Sequence, residues 1–384
     1  MSDLRILADD LTGALDTAAA FGAGVPVYLD TPREARAAPV SAVATATRDV
    51  PLGTLPAALA APVRWLADGG LAFKKVDSLL RGNTYAEVAY AARAGGFTRI
   101  VFAPAFPQQG RITLDGRQWL LPAGAPLAQR APIDDGWVAE AFGVFGLPVV
   151  ATADARDTGL AVWIPDVRHD DDLAAVAAHA AAKDAQRWLW CGSAGLAFAL
   201  AAQRGVAPGV AAFPRAAGSG PLLLLSASHH PVVRRQWTLV RDVGRAAIVV
   251  PHSRPAALRS AFRAMADGVD VAMFDLSPTR LLIPAEAARL LASQMQAIVG
   301  EAPRPAAVIV VGGDTLRNLC HAAGAGALVA RGTVRSGWGC AQLTGGRWDG
   351  VPCFSRSGAF GDPDDLATMV QLVMQRTVTT KERG

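Results

Sequence analysis

The chain has 384 residues, more than one hydrophobic core serves comfortably, so two domains are expected. Half of the residues are hydrophobic (51%) and 18% are charged, which excludes a disordered chain. The net charge of +4 comes from scattered arginines and not from Lys/Arg blocks, so neither nucleic acid nor a membrane surface is expected as a partner.

Short apolar runs alternate with longer Ala-rich stretches. Residues 4–8 read as a strand, 12–22 as a helix, 25–29 and 43–47 as strands, and 55–68 as a helix. Then come a strand at 71–76, a helix at 84–94, and a strand at 100–103. A strand at 188–191 and a helix at 193–203 continue the rhythm. Such alternation points to an α/β fold, a mostly parallel sheet with helices on both faces. The Gly/Pro/Ala-rich stretch 205–221 breaks the pattern and reads as a linker. Beyond it strands at 222–225, 246–250, 271–274 and 307–311 alternate with helices at 232–242, 256–265 and 285–299. The polar tail 376–384 reads as frayed. The expectation is a first domain over 1–206, a linker over 207–220 and a second domain over 221–384, each a mostly parallel sheet flanked by helices, with an active-site cleft between them.

In open parallel sheets ligands bind beyond the carboxyl ends of the strands, so the residues after each apolar run are the informative ones. After the first strand stand Asp9, Asp10, Leu11, Thr12 and Gly13. Asp10 or Thr12 suffices to cap the next helix, yet a cap does not need two acids; a base or a metal ligand is the alternative reading. Arg48 follows another strand and can fork onto a carboxylate, although a lone arginine there is more often a surface residue. "FKKVDSLLRGN" (73–83) gathers Lys74, Lys75, Asp77, Ser78, Arg81, Gly82 and Asn83. That mixture favours a binding site over a solvated loop capped at Asn83 or Thr84. "APAFPQQGR" (103–111) is a proline-stiffened loop whose Gly110-Arg111 can reach an anion. Gly192 and Ser193 open a helix and suit either an anion or tight packing.

In the second half, "LLLLSASHHP" ends a strand with Ser226, Ser228, His229 and His230; adjacent histidines are a poor metal pair. "VIVVGGDTLRNL" (308–319) runs from a β-branched strand into Gly312, Gly313, Asp314 and Thr315, a turn whose N–H groups suit phosphates. "SRSGAFGDPDDL" (355–366) is another Gly-rich turn. The chain has no G-x-x-x-x-G-K-[ST] loop, no G-x-G-x-x-G after the first strand, no G-x-S-x-G elbow and no protein-kinase signature set. Four cysteines, Cys191, Cys320, Cys340 and Cys353, form no C-x-x-C pair and read as buried thiols of a reducing compartment. Without a signal-like start or a long apolar window, a cytoplasmic protein is expected. One half gathers acids, Arg and Lys, the other Gly-rich turns, and together they suggest phosphoryl transfer to an acidic substrate.

The set "ADDLTGA", Thr47-Arg48, "KKVDSLLRGN", "PAFPQQGR", "GSAGLA", "GGDT" and "SGAFG" resembles the four-carbon acid sugar kinase family, also known as DUF1537. The motifs come in the family's order and span nearly the whole chain. The resemblance implies an N-terminal substrate domain, a C-terminal nucleotide-binding domain, and ATP-dependent phosphorylation of the terminal hydroxyl of threonate, erythronate or 3-oxo-tetronate. It implies Asp10, Arg48, Lys75, Val76, Asp77 and Ser78, with Arg81 beside them, as substrate residues. Asp10 or Asp77 would act as base or orienter. Gly312, Gly313, Asp314 and Thr315, the turn at Gly358 to Gly361, and Ser228 and His230 would hold the nucleotide, with Mg²⁺ bridging its phosphates and no side chain assigned to the metal. Three departures stand out: "SASHH" in place of a G-S-C-S-like turn, so that His230 stands where a Ser is usual; "SLLRGN" for S-T-L-R-G-N; and Arg356 for a Lys before Ser-Gly. A silent nucleotide- or acid-binding sensor and a Mg²⁺-dependent hydrolase or lyase of acidic sugars are the alternatives, and a homo-oligomer is left open.

Overall fold

A computed structural model describes residues 3–32, 38–122, 124–133, 136–154, 159–182, 184–206, 220–240, 246–249, 260, 262–263, 270–278, 280–335, 337–358 and 361–381. The chain forms two compact units, Met1–Gly209 and Val210–Gly384. The expected linker, apart from Gly220, and most of the expected helix at 256–265 lie outside the described residues. No helix among the described residues is long and apolar enough to cross a membrane.

The strands of the first unit are β1 (Leu4–Ala8), β2 (Ala23–Tyr28), β3 (Val40–Ala44), β4 (Leu71–Lys75), β5 (Arg99–Ala103), β6 (Arg111–Leu114), β7 (Arg117–Leu120), β8 (Ala131–Pro132), β9 (Val149–Val150), β10 (Ala161–Trp163) and β11 (Trp188–Gly192). Its helices are α1 (Leu11–Ala20), α2 (Leu55–Ala67), α3 (Thr84–Ala94), α4 (Val138–Gly143), α5 (Asp170–Ala178) and α6 (Ala194–Gln203). The main sheet runs β2-β3-β1-β4-β11-β5-β10-β9, every pair parallel. Its inner strands are apolar on both faces, as burial under two helical layers requires. Leu7, Ala72, Ile100 and Leu189 point to one face, where they meet Leu59 and Leu66 of α2, Val88 of α3 and Phe142 of α4. Phe142 packs edge-on to Phe102 (4.9 Å) and Tyr85 (5.1 Å), which seats α4. The alternate residues face the layer containing α1 and α6, which pack against each other.

The chain leaves β1 through α1 toward one edge and leaves β4 through α3 toward the other. The crevice at the carboxyl ends of β1 and β4 is therefore a topological switch point.

The expected elements fall close to their predicted positions, while the pairs β9–β10 and Ala327–Arg335 with Trp338–Thr344 and the helices α4 and α5 lie where none was expected. The strand expected at 43–47 lies at Val40–Ala44, because Thr45 and Thr47 continue the ladder only as single bonds to Ala8 O and Asp9 O. A small antiparallel sheet, β6-β7-β8, was not expected. Its signal is the Asp115-Gly116 pair, whose positive φ values (50° and 70°) suit a two-residue hairpin turn. The tail expected to fray is helical as far as Lys381.

The second unit contains β12 (Leu222–Ser226), β13 (Ala246–Val249), β14 (Val271–Asp275), β15 (Ala307–Val311), β16 (Ala327–Arg335), β17 (Trp338–Thr344) and β18 (Pro352–Arg356). Its helices are α7 (Pro231–Val240), α8 (Pro284–Glu301), α9 (Gly313–Ala323) and α10 (Asp365–Lys381). The order is β13-β14-β12-β15-β18-β17-β16, parallel up to β18 and antiparallel beyond it. The first four strands thus repeat the order of the first unit, second-third-first-fourth, and give a second switch point, between β12 and β15. All four cysteines are buried free thiols.

Candidate functional site

At the first switch point the ends of β3, β1 and β4 lie side by side. Thr45 N donates to Ala8 O (2.9 Å) and Thr47 N to Asp9 O (3.0 Å), which carries the chain after β3 over the acid pair. Arg48 then reaches both acids: its Nε donates to Asp9 Oδ2 at 2.6 Å, and its Nη1 stands 2.9 Å from Asp10 Oδ2. The helix cap is Asp10 and not Thr12. Asp10 Oδ1 accepts from Gly13 N (2.8 Å), while the Thr12 hydroxyl donates to Asp10 Oδ2 (2.9 Å). Capping and site membership are therefore one role for this carboxylate.

Asp9 is 5% exposed, and its Oδ1 has no hydrogen-bond partner among the described residues. Burial pushes its carboxyl up, but the charges of Lys74, Arg48 and Lys75 outweigh burial and hold it below the usual carboxylate range. Burial likewise works against Arg48, and the charges of Asp10 and Asp9 more than offset it, so the guanidinium stays charged.

β4 delivers two lysines to opposite faces. Lys74 turns into the α3 layer, where its Nζ meets Glu87 Oε2 at 2.7 Å and donates to Lys75 O at 3.1 Å. Lys75 turns toward α1. A Cβ on Gly13 would stand 3.0 Å from Lys75 Nζ and closer still to Asp10 Oδ1, so only glycine lets the ammonium lie against the first turn of α1. Asp77 is gripped by Arg81 through Nε to Oδ2 and Nη2 to Oδ1 (3.2 Å). Burial raises the Asp77 carboxyl, and the Arg81 bond and charge, with Lys75 and Arg48, bring it below the usual range. Val76 is buried in the hydrophobic core, so its side chain supports the loop, and its N–H donates to Gly192 O (2.9 Å). Ser78 is buried beside it, its carbonyl accepting from Gln118 Nε2 at 3.0 Å. Asn83 makes no side-chain cap; its Nδ2 donates to Thr47 O (3.1 Å) and Val50 O (2.8 Å), tying the loop after β4 to the one that carries Arg48.

Asp16 is a residue that the sequence pattern alone did not mark. It lies on α1 one turn beyond Gly13, within the field of Lys75 and Asp10. Burial raises its carboxyl to about 6, with Lys75 opposing and Asp10 assisting. The i+3 spacing from Gly13 was the available signal. Ser193 proves to be a packing residue: its hydroxyl donates to Ala105 O (2.6 Å) and accepts from Gly195 N (3.1 Å), which caps α6.

At the second switch point the loops after β12, β15 and β18 interlock. Ala227 N donates to Thr315 Oγ1 (3.3 Å), and Gly312 N donates to Arg356 O (2.9 Å). A Cβ on Gly358 would lie 2.9 Å from Ser228 Oγ. Gly312 has φ +106°, which a residue with a side chain rarely adopts, and it leads directly into α9 with Gly313, exposed Asp314 and buried Thr315. Ser228 Oγ accepts from His230 N (3.2 Å), and the His230 side chain is exposed. Arg356 points inward: it stacks on Trp338 (5.1 Å), bonds Gln236 Oε1 and faces Asp365 Oδ2 at 3.4 Å. It packs against Gly361, where an added Cβ would lie 2.6 Å from its Nη1. Among the described residues no group of three His, Cys, Asp or Glu side chains could hold a metal ion.

A family model described as a sugar-binding N-terminal domain matches residues 4–135. A D-threonate kinase of Cupriavidus necator is 30% identical over 406 aligned residues, covering 93% of this chain and 94% of its own. A D-threonate kinase of Bordetella bronchiseptica is 30% identical over 412, covering 98% of each. Among solved structures, a Haemophilus influenzae protein of the DUF1537 family superposes with a TM-score of 0.71 at 16% identity, over 97% of this chain and all of that one, a likeness of fold.

Proposed function

This chain belongs to the four-carbon acid sugar kinase family and is an ATP-dependent sugar-acid kinase; from that premise we propose that its acceptor is a threonate-type C4 acid, phosphorylated at the terminal hydroxyl. The observation that carries this reading is the convergence of Arg48, Asp9, Asp10, Lys75 and Asp77 at one switch point. Such a site offers cations to an anionic acceptor and a carboxylate to its hydroxyl.

In this reading the first unit binds the sugar acid and the second binds ATP. Phosphoryl transfer needs positioning and charge neutralisation more than covalent chemistry. Asp10, fixed by its cap and by Arg48, orients the terminal hydroxyl and receives its proton. The Lys75 ammonium, held against Gly13, neutralises charge on the group in transfer. Asp77 positions Arg81. In the second unit, the turn from Gly312 to Thr315 offers backbone N–H groups to phosphates, with Ser228, His230, Gly358 and Gly361 at its edge. The side chains do not make a resident Mg²⁺ site: Asp9 and Asp10 are already bound by Arg48, and no third ligand joins them among the described residues. Any Mg²⁺ would come with the nucleotide. The reading places the enzyme in the cytoplasm.

Incubation with ATP, Mg²⁺ and a panel of C4 acids tests this. ADP release that depends on one acid is expected, and its loss is expected in Asp10→Asn. Equal ADP release without any acid, or turnover only with longer acids, would overturn the acceptor assignment.

A further inference from the structure

We propose that Gln236, buried on α7, is a positioning residue for ATP: it ties Arg356 to the backbone of Asp362 and so fixes the segment after Gly361 against the Gly312 turn. The proposal rests on the reading of the second unit as the nucleotide site.

Gln236 is 0% exposed. Its Oε1 accepts from Arg356 Nη2, and its Nε2 donates to Asp362 O at 2.6 Å. A guanidinium only donates and a carbonyl only accepts, so the joint needs a side chain that does both at two separate atoms. An amide meets that need, whereas a carboxylate serves only the arginine and a thioether serves neither. The joined parts come from three places along the chain. α7 follows the Ser226–His230 stretch, Arg356 ends β18, and Asp362 stands between Gly361 and α10. α7 is itself anchored, since Arg234 Nη1 donates to Asp275 Oδ2 (2.6 Å) at the end of β14.

Arg356 carries the link onward. Its backbone oxygen accepts from Gly312 N (2.9 Å), at the turn that opens α9. Its guanidinium is held from other sides by the face of Trp338 and by Asp365 Oδ2 (3.4 Å), an oxygen that also accepts from Trp338 Nε1 (3.1 Å). Burial lowers the Arg356 pKa and Asp365 opposes the fall. The Gly312 turn and the Asp362 backbone are therefore connected through one arginine and one amide. Gln236 has no surface to offer a ligand, so its influence runs through the backbone that it holds. Donors aimed at phosphates are effective only while their positions are kept, and a displacement of about 1 Å is enough to weaken them severely.

The test uses full-length wild type, Gln236→Met and Gln236→Glu. Methionine keeps the length and loses both bonds, while glutamate keeps the acceptor for Arg356 and loses the donor to Asp362 O. Equilibrium binding of ATP is measured together with steady-state kinetics on the C4 acid that the wild type accepts. Kd and KM for ATP are expected to rise about tenfold or more in both variants, with KM for the acid within about twofold of wild type. A purely structural loss would reduce the active fraction, and with it kcat, and leave both KM values in place. ATP affinity within about twofold of wild type in either variant would overturn the proposal, as would an equal rise in KM for the acid. Gly312→Ala, measured alongside, separates this from the parent reading. If Gly312→Ala weakens ATP and the Gln236 variants do not, only the role of Gln236 falls; if none of the three weakens ATP, the assignment of the second unit to the nucleotide falls with it. Should Gln236→Met fail to fold, Gln236→Glu, which retains the bond to Arg356, decides.

Discussion

Lys74 and Glu87 meet at 2.7 Å with 2% and 1% of their side chains exposed, directly beneath the acid pair of the candidate site. Burial works against the Lys74 charge, and Glu87 and then Asp9 more than restore it. Lys74 thus links α3 to Asp9. Breaking such a pair strands a buried charge. Glu87→Gln is therefore expected to cost about 3 kcal/mol of stability, whereas replacing both residues by Met and Leu should recover most of it. Urea unfolding of the three proteins checks this, and a double variant no better than the single one would refute it.

Arg48 serves Asp9 and Asp10 at once through one planar fork. A lysine keeps the charge but not the two directions. Arg48→Lys is expected to lower kcat/KM for the sugar acid roughly 100-fold, about 2.7 kcal/mol of transition-state binding, while KM for ATP stays near wild type. Steady-state kinetics with each substrate varied in turn separates the two. A rise confined to KM for ATP would show that the arginine serves the nucleotide.

Asp16 sets a pH dependence. Its carboxyl goes from an ordinary 3.8 when unfolded to about 6 in the fold. The folded state therefore holds the proton more tightly. The stability this contributes is complete below 3.8 and is lost as pH rises through about 6. Asp16→Asn should match the wild type near pH 4 and exceed it by roughly 2 kcal/mol at pH 7. Thermal melts of both proteins across that range decide, and parallel curves would sink the idea.

Gly312 stands at φ +106° just before α9. Gly312→Ala is expected to strain the turn by about 1–2 kcal/mol. It should raise KM for ATP several-fold and leave KM for the sugar acid unchanged. A change confined to the acid would contradict the assignment of the second unit to the nucleotide.

Much of this was legible in the sequence. Strand and helix positions follow from apolar periodicity, and the polar residues after each strand mark the ligand-facing edge, because parallel strands expose their carboxyl ends together. Asp10, Arg48 and the loop from Lys75 to Arg81 stand out on that ground. The sequence left open what each residue touches. Residues 9 and 48 are far apart along the chain, and only the strand order β3-β1-β4 places them 2.6 Å apart. Whether Asp10 caps or serves the site was undecidable locally, since both roles use the same carboxylate. Val76 lies among polar neighbours in sequence yet points into the core, and Arg356 turns inward onto Trp338. Arg111 stands in a loop suited to reaching anions, yet in the fold its Nη1 donates to Gln109 O (2.7 Å) and Gln109 Oε1 (2.8 Å). Periodicity and capping are short-range and survive in the sequence, whereas the pairing of charges depends on which strands lie side by side, and that is settled only when the sheet is assembled.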